Sequence, residues 1–117
     1  ANLLPFLTLK AYAIEEREKF KDSYDIVWTL RAHPEGPAGV AELASDSPIT
    51  EHDTVSGAIE LLRTHYETVE HIGPARFAEF ELSRRGRQGN GELRTRLRRD
   101  AHGAVNRFLE EWDMVLS

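Results

Sequence analysis

The chain has no cysteine, which removes disulfide staples, thiolate nucleophiles and thiolate-rich zinc sites from the possible chemistry. Histidine does not fill that gap. His33, His52, His65, His71 and His102 follow none of the spacings of known ligand sets, and surface or capping roles suit each of them. No apolar run approaches the ~20 residues that span a bilayer, so no membrane association and a cytoplasmic home are expected. Methionine occurs once, as Met114. Ala1 and Asn2 lead straight into an apolar helical pattern, without the basic segment, apolar stretch and small-residue cleavage site of a secretory leader. The expectation is the C-terminal part of a longer protein. Phosphate-cradling glycine loops are missing too: Gly86, Gly89 and Gly91 fall among arginines with no strand signal before them, so flexibility explains them.

What remains is an ordinary globular balance. The 117 residues, 40% hydrophobic and 30% charged, suit one domain spanning 1–117 with a modest core. Charge is segregated within the net of −5. Residues 37–83 carry nine acids against Arg63 and Arg76, whereas residues 84–99 carry seven arginines against Glu92. A local basic patch in an acidic chain reads either as a solvated face or as a phosphate-binding surface.

Periodicity predicts a mainly α fold, a small bundle of about five helices. Leu3, Phe6, Leu7, Ala11 and Ile14 place a helix over about 3–18, with Pro5 in its first turn. A second helix, starting after Asp22, buries Ile26, Val27 and Leu30 and ends at His33-Pro34. The two form an antiparallel pair. Pro37 opens a short third helix through Leu43, and Thr50 with Asp53 resembles a capping box for a fourth carrying Val55, Ala58, Ile59, Leu62 and Tyr66 on one stripe. Residues 69–82 fit a helix with Phe77 and Phe80, the preferred reading, or a short β-hairpin with Ala78, Phe80 and Leu82 on one face. Ser83 to Gly91 reads as a mobile loop. The last helix lines up Leu93, Leu97, Ala101, Ala104, Val105, Phe108, Trp112 and Val115, and both Trp28 and Trp112 are expected in the core.

Lys10 is out of place in this scheme. At ~100° per residue it lies in line with Leu3 and Arg17 rather than on the wet side of its helix, and Asp22 and Asp25 follow twelve and fifteen residues later. One explanation is structural: Asp22 caps the second helix, Asp25 favours the positive end of its dipole, and Lys10 pairs with one of them. The pattern Leu9-Lys10-Ala11, Arg17, Lys21-Asp22-x-Tyr24-Asp25-Ile26 resembles the helical motif after the catalytic core of AbiEii-like nucleotidyltransferases, relatives of abortive-infection toxins. "WTLRAHPEGP", "HYETVEHIGPARFAEF" and "RDAHGAVNRFLEEW" resemble the helical tail of the same proteins.

The resemblance implies an accessory, substrate-side helical domain, inactive by itself. Its partner would be an N-terminal catalytic domain that carries Mg2+ and a nucleoside triphosphate, with RNA as a possible acceptor and an antitoxin-like protein as a possible partner. The family's glycine-serine turn and Asp-x-Asp are not found in this chain. On this resemblance Lys10, Arg17 and Lys21 would contact nucleotide phosphates, with Asp22 and Asp25 orienting Lys10. Lys21 stands where the family often has arginine.

Arg84, Arg85, Arg87, Arg94, Arg96, Arg98 and Arg99 are the concentrated cations of the chain, candidates for holding a nucleic-acid backbone without reading bases. Two other functions compete. Residues 39–62 followed by a hairpin would make a winged helix-turn-helix, although Glu51-His52-Asp53 would meet DNA phosphates with repulsion. A helical protein-interaction module would need an exposed apolar patch, for which the first helix is the candidate.

Overall fold

The computed structural model describes residues 3–117. Six helices make up the described fold, one more than expected: α1 (Leu3–Glu16), α2 (Phe20–Ala32), α3 (Gly36–Ala44), α4 (Asp53–His65), α5 (Ile72–Arg85) and α6 (Gly91–Leu116). None is long and apolar enough to cross a membrane. The 26 residues of α6 span about 39 Å at 1.5 Å per residue, close to the 44 Å long axis of the molecule. It packs mainly on α5 and α3, while α1 lies across α4 and α2. Their apolar stripes converge on one core that includes Leu7, Ile14, Ile26, Leu30, Val40, Leu62, Leu82, Val105 and Phe108.

The segment 69–82 contains no hairpin; from Ile72 it is α5. Pro74 sits in the first turn, where its missing N–H costs nothing. The buried residues Phe77, Ala78, Glu81 and Leu82 recur at helical spacing, and a buried glutamate is what disguised that stripe. The helix also absorbs Ser83, Arg84 and Arg85, so the expected loop shrinks to residues 86–90. Gly86 ends α5 at φ 68°. There Arg87 N–H reaches the Leu82 carbonyl at 2.8 Å and Gly86 N–H the Ser83 carbonyl at 3.1 Å, a Schellman closure that needs the left-handed region glycine enters freely.

Several other boundaries differ from expectation. Helix α1 stops at Glu16. Helix α2 begins at Phe20 with Lys19 at its cap position and no side-chain cap, because the Asp22 carboxylate turns toward Lys10 and Arg17 instead of toward its own backbone. Asp22 is thus a first-turn residue, and Asp25 lies one turn further in. Helix α4 is capped by His52, whose Nδ1 accepts from Thr54 N–H at 3.1 Å; Thr50 Oγ1 instead donates to the Ser47 carbonyl at 2.6 Å. Trp112 is buried, but Trp28 is 57% exposed, since the α2 stripe runs through Ser23, Ile26, Val27 and Leu30 and leaves it to one side. Phe6 and Val115 are exposed as well, and Leu4 takes the core place expected of Phe6.

A buried polar joint ties α2, the end of α4, α5 and α6 together. Ser23 Oγ donates to the Gly73 carbonyl at 2.6 Å, so its 2.7 Å contact with the Tyr66 hydroxyl must have tyrosine as donor, a serine having one proton to give. Asn106 of α6 donates to the Tyr66 carbonyl at 2.8 Å. Gly73 packs so closely here that a Cβ would meet the Tyr66 ring at 2.6 Å and the His65 carbonyl at 2.7 Å. Gly73→Ala is therefore expected to destabilise the chain by about 1–3 kcal/mol through overpacking. Urea unfolding of the variant measures this, and a midpoint equal to wild type would show that the joint yields without cost.

Candidate functional site

The loop between α1 and α2 folds the second helix back on the first, which brings Lys10 against the first turns of α2. Lys10 Nζ donates to Asp22 Oδ1 at 3.1 Å and lies 2.9 Å from Asp25 Oδ2. Arg17 grips Asp22 with two N–H groups, Nε to Oδ2 at 2.8 Å and Nη2 to Oδ1 at 2.9 Å. Lys21 reaches the Asp25 carboxylate at 3.0 and 3.1 Å. The structure thus gathers all five residues singled out in the sequence, three cations around two carboxylates.

Burial within the cluster is uneven. The Asp22 side chain is only 2% exposed, whereas Arg17 is 49% and Lys21 65% exposed. A carboxylate so buried is stable only when its lone pairs are filled, and three N–H groups fill them here. The hydrogen bonds from Arg17, reinforced by Lys10, hold the Asp22 carboxyl below the ordinary carboxylate value despite its burial. The bond to Asp25, with a further one to Asp22, keeps the Lys10 ammonium raised against the opposing effect of burial. Lys10 also lies 5.7 Å from the Phe6 ring centroid, near enough for a cation–π attraction.

Sequence reasoning missed Arg76. Its guanidinium donates to the Ile14 carbonyl at 3.0 Å and the Arg17 carbonyl at 3.1 Å, closing the end of α1, which has no basic residue in its own last turn. This fixes the backbone from which Arg17 reaches Asp22. Ser23 was also missed, though its place three and four residues before Ile26 and Val27 put it on the buried stripe.

Chemically the cluster is an anchored ammonium with cationic flanks. Lys10 has three donors, two of them spent on Asp22 and Asp25. Arg17 and Lys21 keep N–H groups directed to solvent, and the five side chains sum to one positive charge. Both carboxylates of the cluster are held by cations, and no group of three or more His, Cys, Asp or Glu that could hold a metal ion occurs among the described residues.

The basic segment is only partly free. Arg84 Nε donates to Glu81 Oε1 at 2.6 Å and Arg85 Nη2 to Glu81 Oε2 at 2.8 Å. Burial pushes the Glu81 carboxyl up, yet the bonds from Arg84 and Arg85 outweigh it and leave it lowered. Arg94 is held by Glu79 at 2.6 Å, and Arg98 lies 3.7 Å from Glu70. Arg87, Arg96 and Arg99 make no ion pair among the described residues. His33 and His71 act at turns, and His65 ends α4. His33 Nδ1 accepts from Glu35 N–H, His71 Nδ1 from Thr68 N–H, and His65 faces Glu15 at 3.3 Å.

No family model, curated protein or solved structure matches the chain.

Proposed function

We propose that the chain is the substrate-side helical domain of a nucleotidyltransferase-like protein, using Lys10 with Arg17 and Lys21 to meet the phosphates of a nucleotide held by a second domain. The observation that carries this reading is the anchoring of Lys10 by Asp22 and Asp25 in the α1–α2 pair, with one of its three donors left over. An ammonium fixed by two carboxylates is already oriented, so little ordering cost remains when a phosphate oxygen takes its last donor. Arg17 and Lys21, the more exposed cations of the cluster, supply positive charge beside it. The neighbouring apolar residues Leu9, 67% exposed, and Phe6 give a second domain a face to pack on.

Mg2+ and the nucleoside triphosphate belong, on this reading, to that second domain. The residues here orient and neutralise phosphate and perform no bond-making step. A protein-interaction module is the second reading, favoured by the same exposed Leu9 and Phe6. A winged-helix DNA reader has less support, because α5 occupies the segment that would form the wing.

The test uses the protein encoded by the whole reading frame, assayed for label transfer from nucleoside triphosphates. Lys10→Met in that protein is expected to lower kcat/KM about ten- to a hundredfold, or roughly 1.4–2.7 kcal/mol of transition-state stabilisation. The 117-residue chain alone is expected to transfer nothing. Full activity of the Lys10→Met protein would remove Lys10 from the chemistry, and transfer by the short chain would refute the division of labour.

A further inference from the structure

Trp28 is the least expected surface residue of the fold. It stands 57% exposed at the edge of a groove of about 350 Å³ between α2 and α5, lined also by Tyr24, Phe77, Arg31, Arg84 and Glu81. The groove floor is aromatic: Tyr24 stacks on Phe77 with ring centroids 6.1 Å apart and meets Phe80 at 4.8 Å. Arg84 covers the Tyr24 ring at 5.9 Å. Glu81 joins this groove to a second cavity of about 560 Å³, because Arg85, its other partner, lines that cavity with Arg87 and Arg96.

The two hollows together present five arginines against Glu81 and Glu92, a net of +3 on a chain of net −5. Glu81 also restrains the guanidiniums, taking one N–H from Arg84 and one from Arg85 and leaving the other donors of each free for phosphate oxygens. Arg31 completes the rim, 3.8 Å from Asp100 and half exposed.

From this geometry we propose that the α2–α5 groove and the adjoining arginine cavity form a binding track for a single-stranded polynucleotide. One base stacks on Trp28 beside the Tyr24 floor, and the following phosphates cross Arg84 and Arg85 toward Arg87 and Arg96. An exposed indole supplies a sequence-tolerant stacking platform and the arginines track the backbone, the two ingredients of single-strand recognition. The alternative of a protein partner is opposed by the charge: an apolar partner would have to bury five guanidiniums, several of them short of acceptors. The proposal does not draw on the Lys10 cluster: Tyr24, Trp28 and Arg31 of α2 line the groove, whereas Asp22 and Asp25 hold Lys10.

The test is titration of the 117-residue protein with fluorescein-labelled single-stranded oligonucleotides, RNA and DNA in separate arms, at several salt concentrations. Binding with quenching of Trp28 fluorescence is expected. Trp28→Ala should weaken it roughly 5- to 150-fold, the range for loss of one stacked base, while Trp28→Phe should retain most of the affinity. Arg87→Ala combined with Arg96→Ala should flatten the log–log salt dependence by about 1.4, two single-strand phosphates' worth. Circular dichroism checks that each variant folds, and the exposed positions make that outcome expected. Preference for RNA or DNA in the two arms identifies the source of the strand. No binding to either at low salt, or equal affinity in Trp28→Ala, overturns the proposal, as does binding of a mononucleotide as tight as that of the oligomer.

Discussion

Asp22→Ala is expected to cost about 3 kcal/mol of stability, the lower end of the roughly 3–5 kcal/mol seen when one partner of a buried ion pair is removed. Asp22 is the buried member of the cluster, 2% exposed at its side chain, and it receives Lys10 and both arms of Arg17. Its removal leaves Lys10 with Asp25 and lets Arg17 return to water, which is why the loss falls at the low end. The pH dependence identifies the cause. The Asp22 carboxyl is lowered from its ordinary 3.8 by Arg17 and then Lys10, so its contribution is complete above pH 3.8 and drains as pH falls through the lowered value. Lys10 is raised from 10.5, so its share is complete below that pH and drains only as pH climbs through the raised value. The stability gap between wild type and Asp22→Ala should therefore be flat near neutrality and narrow below pH 3.8. Denaturant titrations across that range measure it, and a gap that persists unchanged in acid would assign the loss to packing instead of charge.

The same residues show how much of the site was readable beforehand. Lys10 broke the apolar pattern of α1 and two aspartates followed at the start of the next helix, so an antiparallel pair had to bring them together. Periodicity alone carried that inference. It could not place the start of α2, because Asp22 has the side chain of a cap and the structure uses it as a buried counter-ion. Where an acidic residue bonds depends on what the neighbouring helix offers, and Arg17 is offered by a helix end that Arg76 closes from α5, 59 residues away. Trp28 failed for a related reason. Hydrophobicity marked it as core, but α2 has only one buried stripe, and the next residue round the helix faces a groove whose walls come from α5. Glu81 is the converse, a charge buried on a stripe because Arg84 and Arg85 fold over it.

The largest loss is expected at the polar joint, where Tyr66 is fully buried. Tyr66→Ala should destabilise the chain by about 3–5 kcal/mol, as for other large aromatic residues cut back to alanine in a core. The ring fills the space between the end of α4 and Gly73, where a Cβ would meet it at 2.6 Å. The hydroxyl is a separate and smaller matter. Burial raises its pKa far above the ordinary tyrosine value, with the bond to Ser23 opposing the shift, so it stays protonated and acts as a donor throughout the accessible pH range. In Tyr66→Phe, Ser23 loses an incoming bond but keeps the Gly73 carbonyl as acceptor, and the cost should stay at about 0.5–1.5 kcal/mol. Ser23→Ala reverses the balance: it leaves the Tyr66 O–H buried without the acceptor it points at, for about 1–3 kcal/mol. Thermal and urea unfolding of the three variants should therefore rank Tyr66→Ala as the most damaging, Ser23→Ala next and Tyr66→Phe last. If Tyr66→Phe proved worse than Ser23→Ala, the direction assigned to the Tyr66–Ser23 bond would be wrong.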